Sequence, residues 1–365
     1  AKRGATASPD VPGRAAAAPP DIALLRLVAQ RIAGPHFATA ADAVRWLTAV
    51  QGQDLRAALA AVALRTTAGT REAVEAALAA GEVVRSWPMR GTLHLVPAED
   101  LPWLLELTAG RAVARAAGRR KQLGLDDATI DRARELAVAA LAGGRHLRRA
   151  DLLAAWQEAG VSTSGQRGYH LLAHLAQTGT LCLGPMRDGE QAFVLIDEWV
   201  SRPRRLARDE ALGELALRYF RGHGPATLAD FVRWTGLTVT DARAGLALAR
   251  PALQRLAVDG VEYFLDPDTP QRLEACRDEA AGLFLLPGFD ELVLGYADRT
   301  ATLPAQYADR VVPGGNGVFQ PTIVHGGRIV GTWRRTGRRV TSAPFQSLPE
   351  EVVQRVVELG SAAPW

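Results

Sequence analysis

Strand-like runs in this chain come in pairs closed by tight turns. Asp188-Gly189, Asp259-Gly260 and Gly326-Gly327 each separate two runs rich in β-branched and aromatic residues. A two-residue loop of that composition joins antiparallel neighbours and no others. A fourth pair, residues 83–87 and 92–96, is joined around Pro88, Met89, Arg90 and Gly91. Strands confined to hairpins leave no room for a large parallel sheet.

What precedes the hairpins is helical. Apolar residues recur at helical spacing over 22–32, 40–50, 55–65 and 70–80 ahead of the first hairpin. The same spacing covers 147–158 and 165–177 ahead of the second, and 210–221, 227–236 and 238–249 ahead of the third. Thr227 is placed to cap one of these helices. Helices followed by a hairpin are the order of a winged helix. The chain is therefore expected to be mainly α with small β-hairpins, an α+β class, built from three tandem winged-helix units. The expected division is a disordered tail over 1–20, then units over 21–142, 143–205 and 206–270. A β-rich segment over 271–365 carries a basic hairpin and a closing helix. Ser347 and Glu350 have capping-box spacing at the start of that helix.

Composition narrows the function. Hydrophobic residues make up 48% and charged residues 22% of 365, the balance of an ordinary globular protein. Cys182 and Cys276, the only cysteines, give neither a disulfide framework nor zinc spacing and read as buried thiols in a reducing compartment. No apolar run reaches membrane length, and the first twenty residues lack the apolar core of a secretory signal. A cytoplasmic protein without a membrane partner is expected. There is no phosphate-binding loop, no dinucleotide fingerprint and no HExxH. His170 and His174 share a helix face without a third ligand, so neither a metal nor a cofactor is expected. Trp87, Trp103, Trp156 and Trp234 fall in apolar patterns and are expected in the core, whereas Trp333, between Thr332 and Arg334, is expected at the surface.

One short stretch stands apart. Gln51, Gly52 and Gln53 lie between two helical patterns, with Asp54 placed to cap the second. Side chains two apart on a helix point to opposite sides, so the glutamines converge only where the backbone leaves helical geometry. Gly52 permits that through a positive φ. The same four residues also make an ordinary polar turn. Farther on, Asp290 and Glu291 are adjacent carboxylates after an apolar run, able to serve as acid or base or to pair with arginine.

Charge is clustered. The net charge is +4, yet residues 310–347 hold no acidic residue and contain Arg310, Arg328, Arg334, Arg335, Arg338 and Arg339. Self-repulsion in such a cluster is relieved by an anionic partner, and a β-ribbon carrying arginines suits a DNA groove or backbone. A solvated basic surface is the simpler alternative. Further clusters are Arg111, Arg115, Arg119, Arg120 and Lys121, and Arg202, Arg204, Arg205 and Arg208.

Four stretches carry a resemblance: VQGQDLRAALAAVALRT, RSWPMRGTLHLVPAEDLPWLL, LLPGFDELVLGYADR and NGVFQPTIVHGGRIVGTWRR. Over residues 21–352 the chain resembles the winged-helix DNA-binding-domain family. Its characterised members are the AlkZ/YcaQ-type glycosylases that unhook interstrand crosslinks. The resemblance implies a concave DNA-binding surface made of three winged helices. The AlkZ-like branch carries a catalytic Gln-x-Gln motif, and the YcaQ branch has Asp at its second glutamine. Gln51 and Gln53 match the former, with Gly52 where an apolar residue is common. The implied activity is a monofunctional DNA glycosylase acting on bulky N7-alkylguanine adducts. Crosslink unhooking, in repair or in self-resistance to a genotoxic natural product, belongs to the same implication. Gln51 would hold or activate water and Gln53 would stabilise the developing sugar cation, or the two roles would be reversed. The partner would be double-stranded DNA carrying alkylated guanine, bound by a monomer that is nucleoid-associated when engaged. Met89, Arg90, Thr92 and His94 of the first hairpin are expected at the duplex. So are Arg328, Trp333, Arg334, Arg335, Arg338 and Arg339 of the last. A non-enzymatic winged-helix DNA-binding protein or regulator is the alternative.

Overall fold

The computed structural model describes residues 21–337 and 339–363. Arg338, the expected tail over 1–20 and the last two residues lie outside the described residues. Helix α1 (Ile22–Ala29) starts at Asp21, whose carboxylate accepts the Ala23 and Leu24 N–H groups. Helix α2 (Ala40–Leu47) is capped by Thr39 and ends where Thr48 turns to φ 68°. A two-residue strand β1 (Val50–Gln51) follows, then α3 (Leu55–Ala63) and α4 (Arg71–Ala79), capped by Asp54 and Thr70. Caps of this kind each contribute about 1 kcal/mol. Strands β2 (Val83–Met89) and β3 (Thr92–Pro97) form the first hairpin.

Three helices come next, α5 (Leu101–Thr108), α6 (Gly110–Gln122) and α7 (Asp127–Leu141). Then α8 (Arg149–Glu158) and α9 (Arg167–Gln177) lead into the hairpin of β4 (Leu181–Arg187) and β5 (Glu190–Leu195). The two hairpins are not separate. Arg85 of β2 pairs with Leu183 of β4, giving one antiparallel five-stranded sheet of order β1-β3-β2-β4-β5. Trp87, Leu183 and Phe193 from the two hairpins share a core with Trp156, all buried.

After the short turn α10 (Ile196–Trp199), helices α11 (Arg208–His223), α12 (Leu228–Thr235) and α13 (Val239–Ala249) precede a lone hairpin, β6 (Gln254–Val258) with β7 (Val261–Leu265). Thr227 caps α12 in a reciprocal box with Asp230. Tyr219, Phe220, Phe231 and Trp234 pack ring against ring between these helices.

The C-terminal part holds a four-stranded antiparallel sheet of order β11-β10-β9-β8, from β8 (Leu283–Leu286), β9 (Thr322–His325), β10 (Arg328–Thr336) and β11 (Arg339–Pro344). The two-residue turns at Arg90-Gly91, Asp188-Gly189, Asp259-Gly260 and Gly326-Gly327 each carry two positive φ values, as in type I′ turns. Two local expectations are corrected here. Trp333 is buried, not exposed, and its indole N–H donates to Leu286 O at 2.9 Å. Side chains alternate along a strand, so the arginine after it points out because Trp333 points in. The closing helix (Glu350–Ala362) has no capping box: Pro349 occupies its cap position, leaving Ser347 too far upstream.

Cys182 is buried and Cys276 partly so, both as free thiols. Among the described residues, no helix is long and apolar enough to cross a membrane, and no group of three His, Cys, Asp or Glu could hold a metal ion.

Candidate active site

The Gln51–Gln53 stretch leaves helical geometry by joining the edge of the five-stranded sheet. Val50 pairs with Leu95 and Gln51 with His94, and the Gly52 N–H donates to Leu93 O at 2.7 Å. Gly52 does not adopt the expected positive φ. Space is the constraint instead. A Cβ there would lie 3.3 Å from Arg85 Nε and 3.5 Å from the His94 backbone.

Gln51 is 7% exposed. Its backbone N–H donates to Glu291 Oε1 at 3.0 Å, and its Oε1 accepts from Arg90 Nη2 at 3.4 Å. Glu291 also accepts the Trp234 indole N–H at 2.9 Å and faces His223 Nε2 at 3.4 Å. Burial pushes the Glu291 carboxyl up, but His223, Trp234 and the Gln51 N–H together hold it below its ordinary value, as a carboxylate. Its neighbour Asp290 forms a fully buried bidentate pair with Arg65, at 2.9 and 3.0 Å. Both carboxylates are therefore structural anchors, and one of them reaches Gln51, 240 residues away.

Arg90 sits in its turn at φ 56° and bends back over the sheet edge. The same Nη2 that reaches Gln51 lies 3.2 Å from His94 Nε2. Burial, reinforced by Arg90, pushes His94 down to about 3, so the ring is neutral near pH 7. Nδ1 then carries the hydrogen, donating to Thr92 O at 2.9 Å, and Nε2 accepts from Arg90; the network assigns this tautomer.

Gln53 is exposed, and its Oε1 accepts the Leu93 N–H at 2.9 Å. Arg85 clamps the loop. Its Nε donates to Gly52 O at 2.7 Å, Nη2 to Gln53 O at 3.4 Å, and Nη1 to Gln191 Oε1 of β5 at 3.0 Å. Burial lowers Arg85 to about 10, against the pull of Asp54, so it remains a cation near neutral pH. Gln53 lines a cleft of about 660 Å³ running toward the second hairpin, with Arg56, Arg71, Arg149 and Tyr169 on its walls.

The family model described as DNA glycosylase AlkZ-like matches residues 44–363. The chain belongs to the AlkZ-like DNA glycosylase family. It is 29% identical over 334 residues to the interstrand DNA cross-link repair glycosylase of Streptomyces sahachiroi, covering 87% of this chain and 88% of that one. The solved structure of Streptomyces sahachiroi DNA glycosylase AlkZ matches it with a TM-score of 0.77 at 26% identity, over 94% of this chain and 96% of that one. The chain is thus a DNA glycosylase, a hydrolase of N-glycosyl bonds.

Within this AlkZ-like fold the residues expected at the duplex divide. Met89 and His94 are fully buried and Trp333 nearly so, and none presents a surface to DNA. Thr92 is half-buried, with its hydroxyl donating to Met89 O. Arg90 turns inward to Gln51 rather than outward. Arg334, Arg335 and Arg339 are exposed at one end of the β10–β11 ribbon, whereas Arg328 lies at the far end of β10, donating to Thr300 O. Sequence reasoning missed Arg85 and the Glu291–Gln51 bond, since each joins residues distant along the chain.

Proposed function

We propose that this glycosylase excises bulky N7-alkylguanines from duplex DNA, including those that tie the two strands together. Alkylation at N7 makes the base cationic, so part of the barrier is already removed. Breaking the C1′–N9 bond returns its electron pair to the base, which departs as neutral N7-alkylguanine and leaves an oxocarbenium-like sugar. Water adds to C1′ and its surplus proton passes to solvent. No side chain has to titrate, so two amides suffice.

Exposure supports the division of labour. Gln51 is buried with its Oε1 engaged by Arg90, whereas Gln53 is exposed on the cleft. The sugar cation is assigned to Gln53, whose carbonyl oxygen keeps a lone pair beyond the Leu93 N–H. Gln51, held from behind by Glu291, positions the water.

We take 21–142, 143–205 and 206–270 as three winged-helix units forming a concave face for the duplex. The three helix-then-hairpin segments and the likeness to the AlkZ structure support this reading. A monomer suffices, because every group in the site comes from one chain. Similarity to a cross-link repair glycosylase supports the crosslinked substrate. In a cell exposed to its own alkylating product, the activity would confer self-resistance, on nucleoid DNA. The test is a duplex carrying one N7–N7 guanine crosslink. Excess enzyme should free the strands on a denaturing gel and release alkylguanine. No release from any N7-alkylated duplex would overturn the assignment.

A further inference from the structure

We infer that a second cavity beside the Gln53 cleft receives a flat, uncharged aromatic substituent carried on N7 of the excised base. The cavity, about 460 Å³, is walled by Phe289, Phe319, Val318, Pro287 and Pro321 and shares Asp54, Arg56 and Arg71 with the cleft. The inference rests on the alkylguanine reading above and deepens it by naming what the substituent must be.

Three observations converge on this cavity. Phe289 is held at φ 60°, a region that bulky residues rarely adopt. Such an outlier persists only where its surroundings over-determine it. The surroundings here do so: the next residue, Asp290, is locked to Arg65, and Glu291 is locked to the Gln51 N–H. On the other side, Gly288 packs so closely on the Phe319 backbone that an added Cβ would lie 2.6 Å from Phe319 O. The strained phenyl is thus built into the anchor of the catalytic motif.

The second observation is the ring pair itself. Phe289 and Phe319 stand 5.7 Å apart at 54°, both half-buried, presenting apolar faces that a flat ring can cover. The third is charge. Arg56, Arg71 and Arg334 border the cavity against one lining carboxylate, Asp54, with Arg71 paired to Glu75, so the positive balance favours an uncharged substituent over a cationic one. Guanine N7 opens to the major groove, away from the glycosidic bond. A group attached there extends beyond the base, and the cavity that shares Asp54, Arg56 and Arg71 with the Gln53 cleft offers it apolar walls.

The test compares duplexes carrying N7-benzylguanine and N7-methylguanine, in single-turnover excision and in equilibrium binding at fixed salt. Wild type should prefer the benzyl adduct by about tenfold, the scale of burying one phenyl group. Phe289→Ala and Phe319→Ala should each cancel most of that preference, while Phe289→Leu keeps part of it. A wild type without preference, or a Phe289→Ala variant that retains it, overturns the inference. The binding arm separates the two proposals. If neither base is released but the benzyl duplex is still preferred through Phe289, the excision assignment fails and the cavity stands.

Discussion

The first and last hairpins both carry arginines near a tight turn, yet they use them in opposite ways. In β2–β3, the turn residue Arg90 folds inward against Gln51 and a neutral, buried His94, and Met89 fills the core. In β10–β11, Trp333 supplies the buried face while Arg334 and Arg339 stay in solvent. A cation taken from water needs acceptors, and the first hairpin uses its charge to order a glutamine. The last leaves its charge available to a polyanion. Proximity in sequence to a basic turn therefore does not tell which role an arginine has; the partner strand does.

The strongest way to break this comparison is Arg90→Met. Without the guanidinium, Gln51 loses the donor that fixes its carbonyl, and misplacement on the ångström scale lowers excision by up to about a hundredfold. Duplex affinity should hardly move. If affinity and its salt dependence fall instead while single-turnover excision at saturation persists, Arg90 is a DNA-binding residue like those of the ribbon.

A smaller effect sharpens the inward half. His94 has a folded-state value of about 3, depressed by burial and then by Arg90, with Glu291 opposing. Between the unfolded value of roughly 6.5 and that folded value, the unfolded chain binds the extra proton. Stability from neutral His94 is therefore complete above the upper limit and declines as pH falls through the window. Denaturant melts at several pH values should show that decline, and His94→Phe should flatten it. An unchanged slope in the variant would place the titration elsewhere.

The outward half predicts the smallest change per residue. Arg334→Ala with Arg339→Ala should weaken duplex binding across sequences and reduce the salt slope by about one for each phosphate no longer neutralised. Excision at saturating enzyme should be retained. A slope equal to wild type would remove the ribbon from the interface.

Local chemistry is legible in the sequence. The Asp-Gly and Gly-Gly turns, the Asp54 and Thr227 caps and the four core tryptophans depend on neighbours a few residues away, and all stand where expected. Long-range pairings are not legible. A single register pair, Arg85 with Leu183, fuses two hairpins that read as separate. The bond from Gln51 to Glu291 spans most of the chain. The polar neighbours of Trp333 suggest exposure, although strand alternation makes those neighbours the reason it faces inward. Strand β11 is hidden because Arg339, Thr341 and Ser342 disguise an edge strand whose inward residue is Val340.

The central claim is that Gln51 and Gln53 perform the excision. The decisive measurement is single-turnover release of an N7-alkylguanine from duplex DNA by wild type, Gln51→Ala, Gln53→Ala and Gln53→Asp, with affinity and melting measured alongside. Loss of one oriented dipole at such a site typically costs about a hundred- to a thousandfold. Because the leaving base is already cationic, a loss of roughly ten- to a hundredfold is expected for each alanine variant, with affinity and stability nearly unchanged. Gln53→Asp should retain more activity than Gln53→Ala, since an anion still stabilises the sugar cation. Excision at the wild-type rate by both alanine variants would contradict the account and move the chemistry away from this loop.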